Sequence, residues 1–89
     1  MKIVLISLLI LLTASYSFAA QVYTTKIAYD GSGNPEYIGK APTGTSILVG
    51  GWQIKKLVYG VSGVTDVLWC NGDNNSSYVW NDRASLTYK

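Results

Sequence analysis

Between Val22 and Tyr29 the chain alternates, with Tyr23, Thr25, Ile27 and Tyr29 on one side of a two-residue period and Val22, Thr24, Lys26 and Ala28 on the other. That period, carried by β-branched and aromatic residues, predicts a strand. Asp30-Gly31-Ser32-Gly33-Asn34-Pro35 stops it with residues suited to a reversal, and Glu36 to Ala41 reads as the returning strand. Pro42 to Ser46 is a loop. From Trp52 to Tyr59 the apolar side changes parity: Trp52 and Ile54 share one face, Leu57 and Tyr59 the other. A β-bulge at Lys55-Lys56 would restore a single buried face. Asn71-Gly72 is a tight-turn signal, and Asp73 to Ser77 extends a polar loop. Tyr78-Val79-Trp80 and Ser85 to Lys89 read as a closing strand interrupted by Asn81-Asp82-Arg83. No stretch carries a helical period with capping residues.

The pattern repeats at an offset of thirty. Lys26-Ile27-Ala28-Tyr29 aligns with Lys56-Leu57-Val58-Tyr59, Ser32-Gly33 with Ser62-Gly63, Glu36 with Asp66, and Tyr37-Ile38 with Val67-Leu68. Ile27, Tyr29 and Tyr37 thereby match Leu57, Tyr59 and Val67 in strand parity. The expectation is an all-β chain: one small antiparallel sheet or open barrel of about five strands, built from two similar hairpins.

The first nineteen residues have a different character. Lys2 supplies a positive start, Ile3 to Leu12 an apolar run broken only by Ser7, and Thr13 to Ala19 a small-residue exit with Ser17 and Ala19 at the cleavage positions. This is the build of a signal peptide over 1–19, cut between Ala19 and Ala20 to leave a single β domain over 20–89. The competing reading is an uncleaved anchor, since Ile3 to Ala20 is uncharged and close to the shortest spanning length of roughly 17 residues. Cleavage fits better because polar Thr13, Ser15 and Ser17 follow the apolar run.

Removing that segment changes the composition. The basic residues fall from seven to six against five acids, so residues 20–89 are nearly neutral, yet they keep all nine glycines, all three tryptophans and six of seven tyrosines. A chain this short has a thin core, and large aromatic side chains compensate by burying much apolar area each. Near-neutrality argues against nucleic acid, and Lys55-Lys56, the only adjacent basic pair, reads as a solvated strand surface. Attraction to an anionic membrane surface is weak for the same reason. Cys70 has no partner for an internal disulfide and reads as a small buried residue rather than an intermolecular thiol.

Three segments taken together, Tyr29 to Ala41, Trp52 to Leu57 and Val79 to Tyr88, resemble small proteins of unassigned role common in tailed-bacteriophage genomes. The resemblance implies a compact β-domain, such as a virion accessory, and carries no activity or binding residues. An export signal is foreign to a virion component and points to a host-encoded or prophage-derived exported relative.

Candidate chemistry is sparse. With no His in the chain, Ser-His-Asp and Cys-His nucleophile activation and most catalytic zinc sites are absent. Glu36 and Asp66 occupy matching strand positions, which explains them more simply than a glycosidase-like pair does. Asp30 to Asn34 opens like a calcium loop, but Pro35 and Ala41 stand where that loop needs Gly and Glu. Asn74-Asn75-Ser76-Ser77 holds two overlapping glycosylation patterns, relevant only in a eukaryotic host.

No metal, cofactor or catalytic residue is therefore predicted. The aromatics remain. Trp52 and Trp69 sit within apolar strand patterns and read as core, whereas Tyr78, Trp80, Asp82 and Arg83 form a candidate contact surface. The function expected is an exported, non-enzymatic structural or protein-interaction module, acting on a protein partner or on its own copies. A small carbohydrate-binding module using exposed Trp and Tyr is the alternative, and a membrane-anchored envelope protein the second.

Overall fold

The computed structural model describes residues 20–89. The predicted signal peptide, with the Ala19 side of its cleavage site, and the alternative anchor lie outside the described residues.

Four strands form, β1 (Tyr23–Tyr29), β2 (Pro35–Pro42), β3 (Gln53–Gly60) and β4 (Gly63–Trp69), each antiparallel to the next in the spatial order β1-β2-β3-β4. The expected all-β class and the two hairpins are present. The sheet is open, since β1 and β4 lie at opposite edges rather than pairing into a barrel.

The expected fifth strand is replaced. Trp80–Ser85 is a 3-10 helix, started by Asp82 N–H donating to Val79 O at 3.1 Å and finished by Ser85 Oγ donating to Asp82 O at 2.9 Å. Short polar side chains that bond the local backbone favour such turns over a ladder. What survives of the strand is two isolated bridges, Trp52 with Tyr78 and Cys70 with Tyr88. Asn71-Gly72 does form the tight turn its sequence signals: both residues take positive φ, 53° and 74°, and Asp73 N–H closes on Cys70 O at 3.2 Å. Positive φ at both central positions is the primed geometry that matches strand twist.

Each hairpin shifts register once, between Ala28 and Tyr29 in the first and between Val58 and Tyr59 in the second, thirty residues apart. The return strands, however, are out of step. Ala28 pairs with Tyr37, whereas the equivalent Val58 pairs with Asp66 rather than Val67, because the second turn is shorter by one residue. A slip of one residue sends every side chain to the other face. Tyr37 is therefore buried and Val67 is 48% exposed, so the predicted equivalence of these two positions fails.

No bulge occurs at Lys55-Lys56. Both residues pair in step with β2 on one side and β4 on the other. The sheet uses both faces instead, and the two lysines set their ammonium groups over aromatic rings on opposite sides, Lys55 Nζ 5.3 Å from the Trp69 ring and Lys56 Nζ 5.7 Å from that of Tyr37. Long cationic side chains can cover apolar surface while keeping their charge in water. Alternation and register place Thr24, Lys26, Ala28, Tyr37, Gly39, Ala41, Trp52, Ile54 and Cys70 on one face, which residues 78–89 cover. The core is Tyr37, Ala41, Trp52, Ile54, Cys70 and Trp80, with Ala28, Tyr78, Leu86 and Tyr88 packed around it.

Candidate functional site

The sheet presents two contrasting surfaces, the covering C-terminal segment and the face it leaves open. Trp80 anchors the first. Its ring lies over Gly39, which pairs with Lys26 on β1 and Ile54 on β3; a Cβ at residue 39 would stand 2.6 Å from Trp80 Cζ3 and nearer still to Cε3. A strand glycine that marks the close approach of another group makes this slot. Trp80 is consequently 5% exposed, with its ring 5.8 Å from that of Trp52. The expectation that Trp80 belongs to an exposed contact surface is corrected: the missing side chain of Gly39 draws the indole into the core.

Its expected companions fall elsewhere. Asp82 is exposed, and Arg83 is half-buried with its guanidinium carbon 4.7 Å from the Trp80 ring centroid and one N–H donating to Trp80 O at 3.3 Å. Tyr78 points to a different group, its hydroxyl donating to the Asp73 carboxylate at 2.7 Å. That bond, aided by desolvation, pushes the Tyr78 hydroxyl above the ordinary phenol range. The four residues thus do not form one patch: Trp80 and Arg83 make a stack, and Tyr78 braces the Asp73 loop. Trp52 is core as expected, its indole N–H donating to Ser46 O at 2.9 Å. Trp69 is only half-buried and lies outside the core, on the open face.

The carboxylates have local work. Asp30 Oδ1 accepts from the backbone of Ser32 and of Asn34, each at 2.9 Å, which ties the first turn as turn chemistry requires. Glu36 and Asp66 stand on β2 and β4 with β3 between them, and Glu36 is the residue that the register shift of the first hairpin leaves unpaired. Among the described residues no group of three or more His, Cys, Asp or Glu is placed to hold a metal ion.

Burial pushes the Cys70 thiol up, with the nearby Asp73 charge adding to it. Burial likewise raises the Tyr88 hydroxyl well above its ordinary value, with the Cys70 and Tyr37 groups adding and Arg83 opposing. Both groups are neutral when protonated and both are raised on folding, so their contribution is full below the ordinary values of 9.0 and 10.0 and is lost as pH climbs from there to the folded values. Urea midpoints should hold between about pH 6 and 8 and fall beyond about pH 9. The variant Tyr88→Phe with Cys70→Ala should fall less; equal slopes for the two proteins would contradict this assignment.

The second face was not singled out by the sequence pattern. It carries Ile27, Ile38, Leu57, Val67 and Trp69, with Tyr23, Tyr29 and Tyr59 toward the strand ends. Ile27 is 46% exposed, although Ile38, Leu57 and Trp69 are partly sheltered by their neighbours. Ile27, Ile38, Lys55 and Trp69 form one row across all four strands. The signal was present in Leu57 and Tyr59 changing parity, which marks a sheet apolar on both sides rather than a bulge.

No family model, curated protein or solved structure matches this chain.

Proposed function

We propose that this chain works outside the cytoplasm as a non-enzymatic protein-interaction module whose contact surface is the open face of the sheet. The observation that carries the reading is that the C-terminal segment packs on one face only, leaving Ile27, Ile38, Leu57, Val67 and Trp69 on the other with Lys55 among them. Apolar surface left exposed among polar groups is a usual mark of a contact site. The export reading rests on residues 1–19, and a phage or prophage origin on the likeness of residues 29–41, 52–57 and 79–88.

A second copy of the chain is the partner proposed, since an isologous contact sets the same apolar patch of each copy against the other. Sedimentation coefficients should therefore rise with protein concentration, and Val67→Lys should flatten that rise without unfolding the chain, since Val67 is half exposed. A flat profile for the unsubstituted protein would remove the reading.

Sugar binding remains the second reading because Trp69 is only half-buried, although Lys55 lies over its ring. A glycan site would leave the protein monomeric and shift its tryptophan fluorescence with added polysaccharide, an outcome opposed to the first.

A further inference from the structure

The two edges of the sheet are finished differently. Along β4 the register shift skips Thr65, and Lys89 exchanges backbone hydrogen bonds with Trp69 at 3.0 and 2.9 Å, so that edge is bent at one end and occupied at the other. Natural sheets blunt their edges in such ways to prevent unwanted pairing. β1 lacks both devices from Tyr23 to Ala28. Thr43 N–H donates to Val22 O at 3.0 Å, and the ladder runs in step from there, so Thr24, Lys26 and Ala28 bond with β2. The N–H and C=O groups of Thr25 and Ile27 consequently project away from the sheet.

Beside this edge, on the covered face, lies an open groove of about 490 Å³, lined by β1 from Thr25 to Tyr29 and by Trp80 and Arg83. Its charged side chains, Lys26 and Arg83, are both cationic. The Trp80 ring and carbonyl hold the guanidinium in place, and because it has five N–H donors in all, donors remain for a ligand.

We infer that β1 and this groove form a docking site for an extended segment of a partner protein that carries an Asp or Glu side chain, added to the sheet as a further strand. The backbone of the segment bonds to Thr25 and Ile27. Its residue opposite Lys26 points onto the covered face, where its carboxylate reaches the ammonium of Lys26 and the guanidinium of Arg83. The residues on either side of that acid turn to the open face next to Thr25 and Ile27, so the segment that fits reads apolar, acidic, apolar. Main-chain bonds supply affinity in this mode, and the pocket for the alternate side chain supplies selectivity. This site goes beyond the open-face contact, shares none of its charged groups, and extends the reading of the chain as an interaction module.

The test titrates the synthetic peptide acetyl-Thr-Val-Thr-Val-Asp-Val-Thr-Val-Thr-amide into the ¹⁵N-labelled protein. Amide signals of Thr25 and Ile27 should shift and exchange more slowly with solvent. An Asn in place of the peptide's Asp should weaken binding about tenfold, the scale of one charge-assisted contact, as should Arg83→Gln or the solvent-exposed Lys26→Gln. Added salt should narrow the gap between the two peptides. Thr25→Pro removes an outward-facing donor and no ladder bond, so it should abolish binding and leave the near-ultraviolet circular dichroism intact. Val67→Lys, which tests the open face, should bind the peptide normally. Equal affinity for the two peptides, shifts centred on Leu57 and Val67, or slowed exchange of the Thr25 and Ile27 amides that rises with protein concentration alone and persists in Val67→Lys would each overturn the assignment, the last by giving the edge to a second copy.

Discussion

Trp52→Ala is expected to cost about 3–5 kcal/mol, the range for removing a fully buried large aromatic. Trp52 is 1% exposed and occupies the centre of the covered face, against Ile54, Ala41 and Trp80. Domains of this size hold only about 0.05–0.15 kcal/mol per residue, so the loss takes most of the available stability. Two separate terms make up the cost. The ring supplies packing, including its tilted contact with Trp80 at 5.8 Å, and the indole N–H satisfies Ser46 O at 2.9 Å, which fixes the loop between β2 and β3. Trp52→Phe separates them: it keeps most of the packing and should cost about 0.5–1.5 kcal/mol for the lost hydrogen bond, since Ser46 is exposed to water. Urea unfolding followed by far-ultraviolet circular dichroism reads both. A Trp52→Ala protein as stable as the unsubstituted one would mean that the C-terminal segment does not close over this face.

Gly39→Ala is the second large effect, and its sign runs against local propensity. In an ordinary strand, alanine is better than glycine by roughly 0.5–1 kcal/mol because it restricts the unfolded chain. Here the added methyl meets the six-membered ring of Trp80 and lies 3.2 Å from Trp52 Cε3. Overpacking of this kind typically costs about 1–3 kcal/mol. The cost belongs to the pair, so it should largely vanish in a Trp80→Leu background, where the ring atoms are gone. A coupling energy of about 0.5–3 kcal/mol between positions 39 and 80 is the expected result of the double-mutant cycle. Gly31→Ala, with open space around the new methyl, serves as the neutral comparison. Additivity between Gly39→Ala and Trp80→Leu would place Trp80 somewhere other than over Gly39.

These two residues also show what was legible in the sequence. Strand positions, turns and the pairing of hairpins follow from a two-residue period and from Gly, Asn and Pro, all local properties, whereas the faces of β3 and the register of β4 do not. The covering segment depends on a contact between residues 39 and 80 that no local pattern encodes. Trp80, followed by three polar residues, therefore reads as a surface group, although a glycine in the middle of β2 is itself a hint of something lying close above it. The parity change in β3 points to a bulge only on the rule that one face is buried, which is an assumption about tertiary structure, and here both faces carry apolar side chains. The two hairpins kept their local likeness while a turn shorter by one residue exchanged the faces of the second return strand, so Tyr37 entered the core and its counterpart Val67 did not. Lys26 and Arg83 came to line one groove through the same long-range placement, and neither alone signals it.

The covering segment also sets an order of events for the growing polypeptide. Both hairpins pair neighbours in sequence and can form as soon as they are made, but the core they share is closed by residues 78–89. Trp80 must reach Gly39, and Tyr88 must reach Tyr37, whose ring centroid lies 5.5 Å from its own. Such distant contacts come late because the chain must first close a long loop. Up to that moment the molecule is a bare sheet without an interior. Synthesis runs from the strands to the cover, so stability arrives only when residues 78–89 close over the sheet.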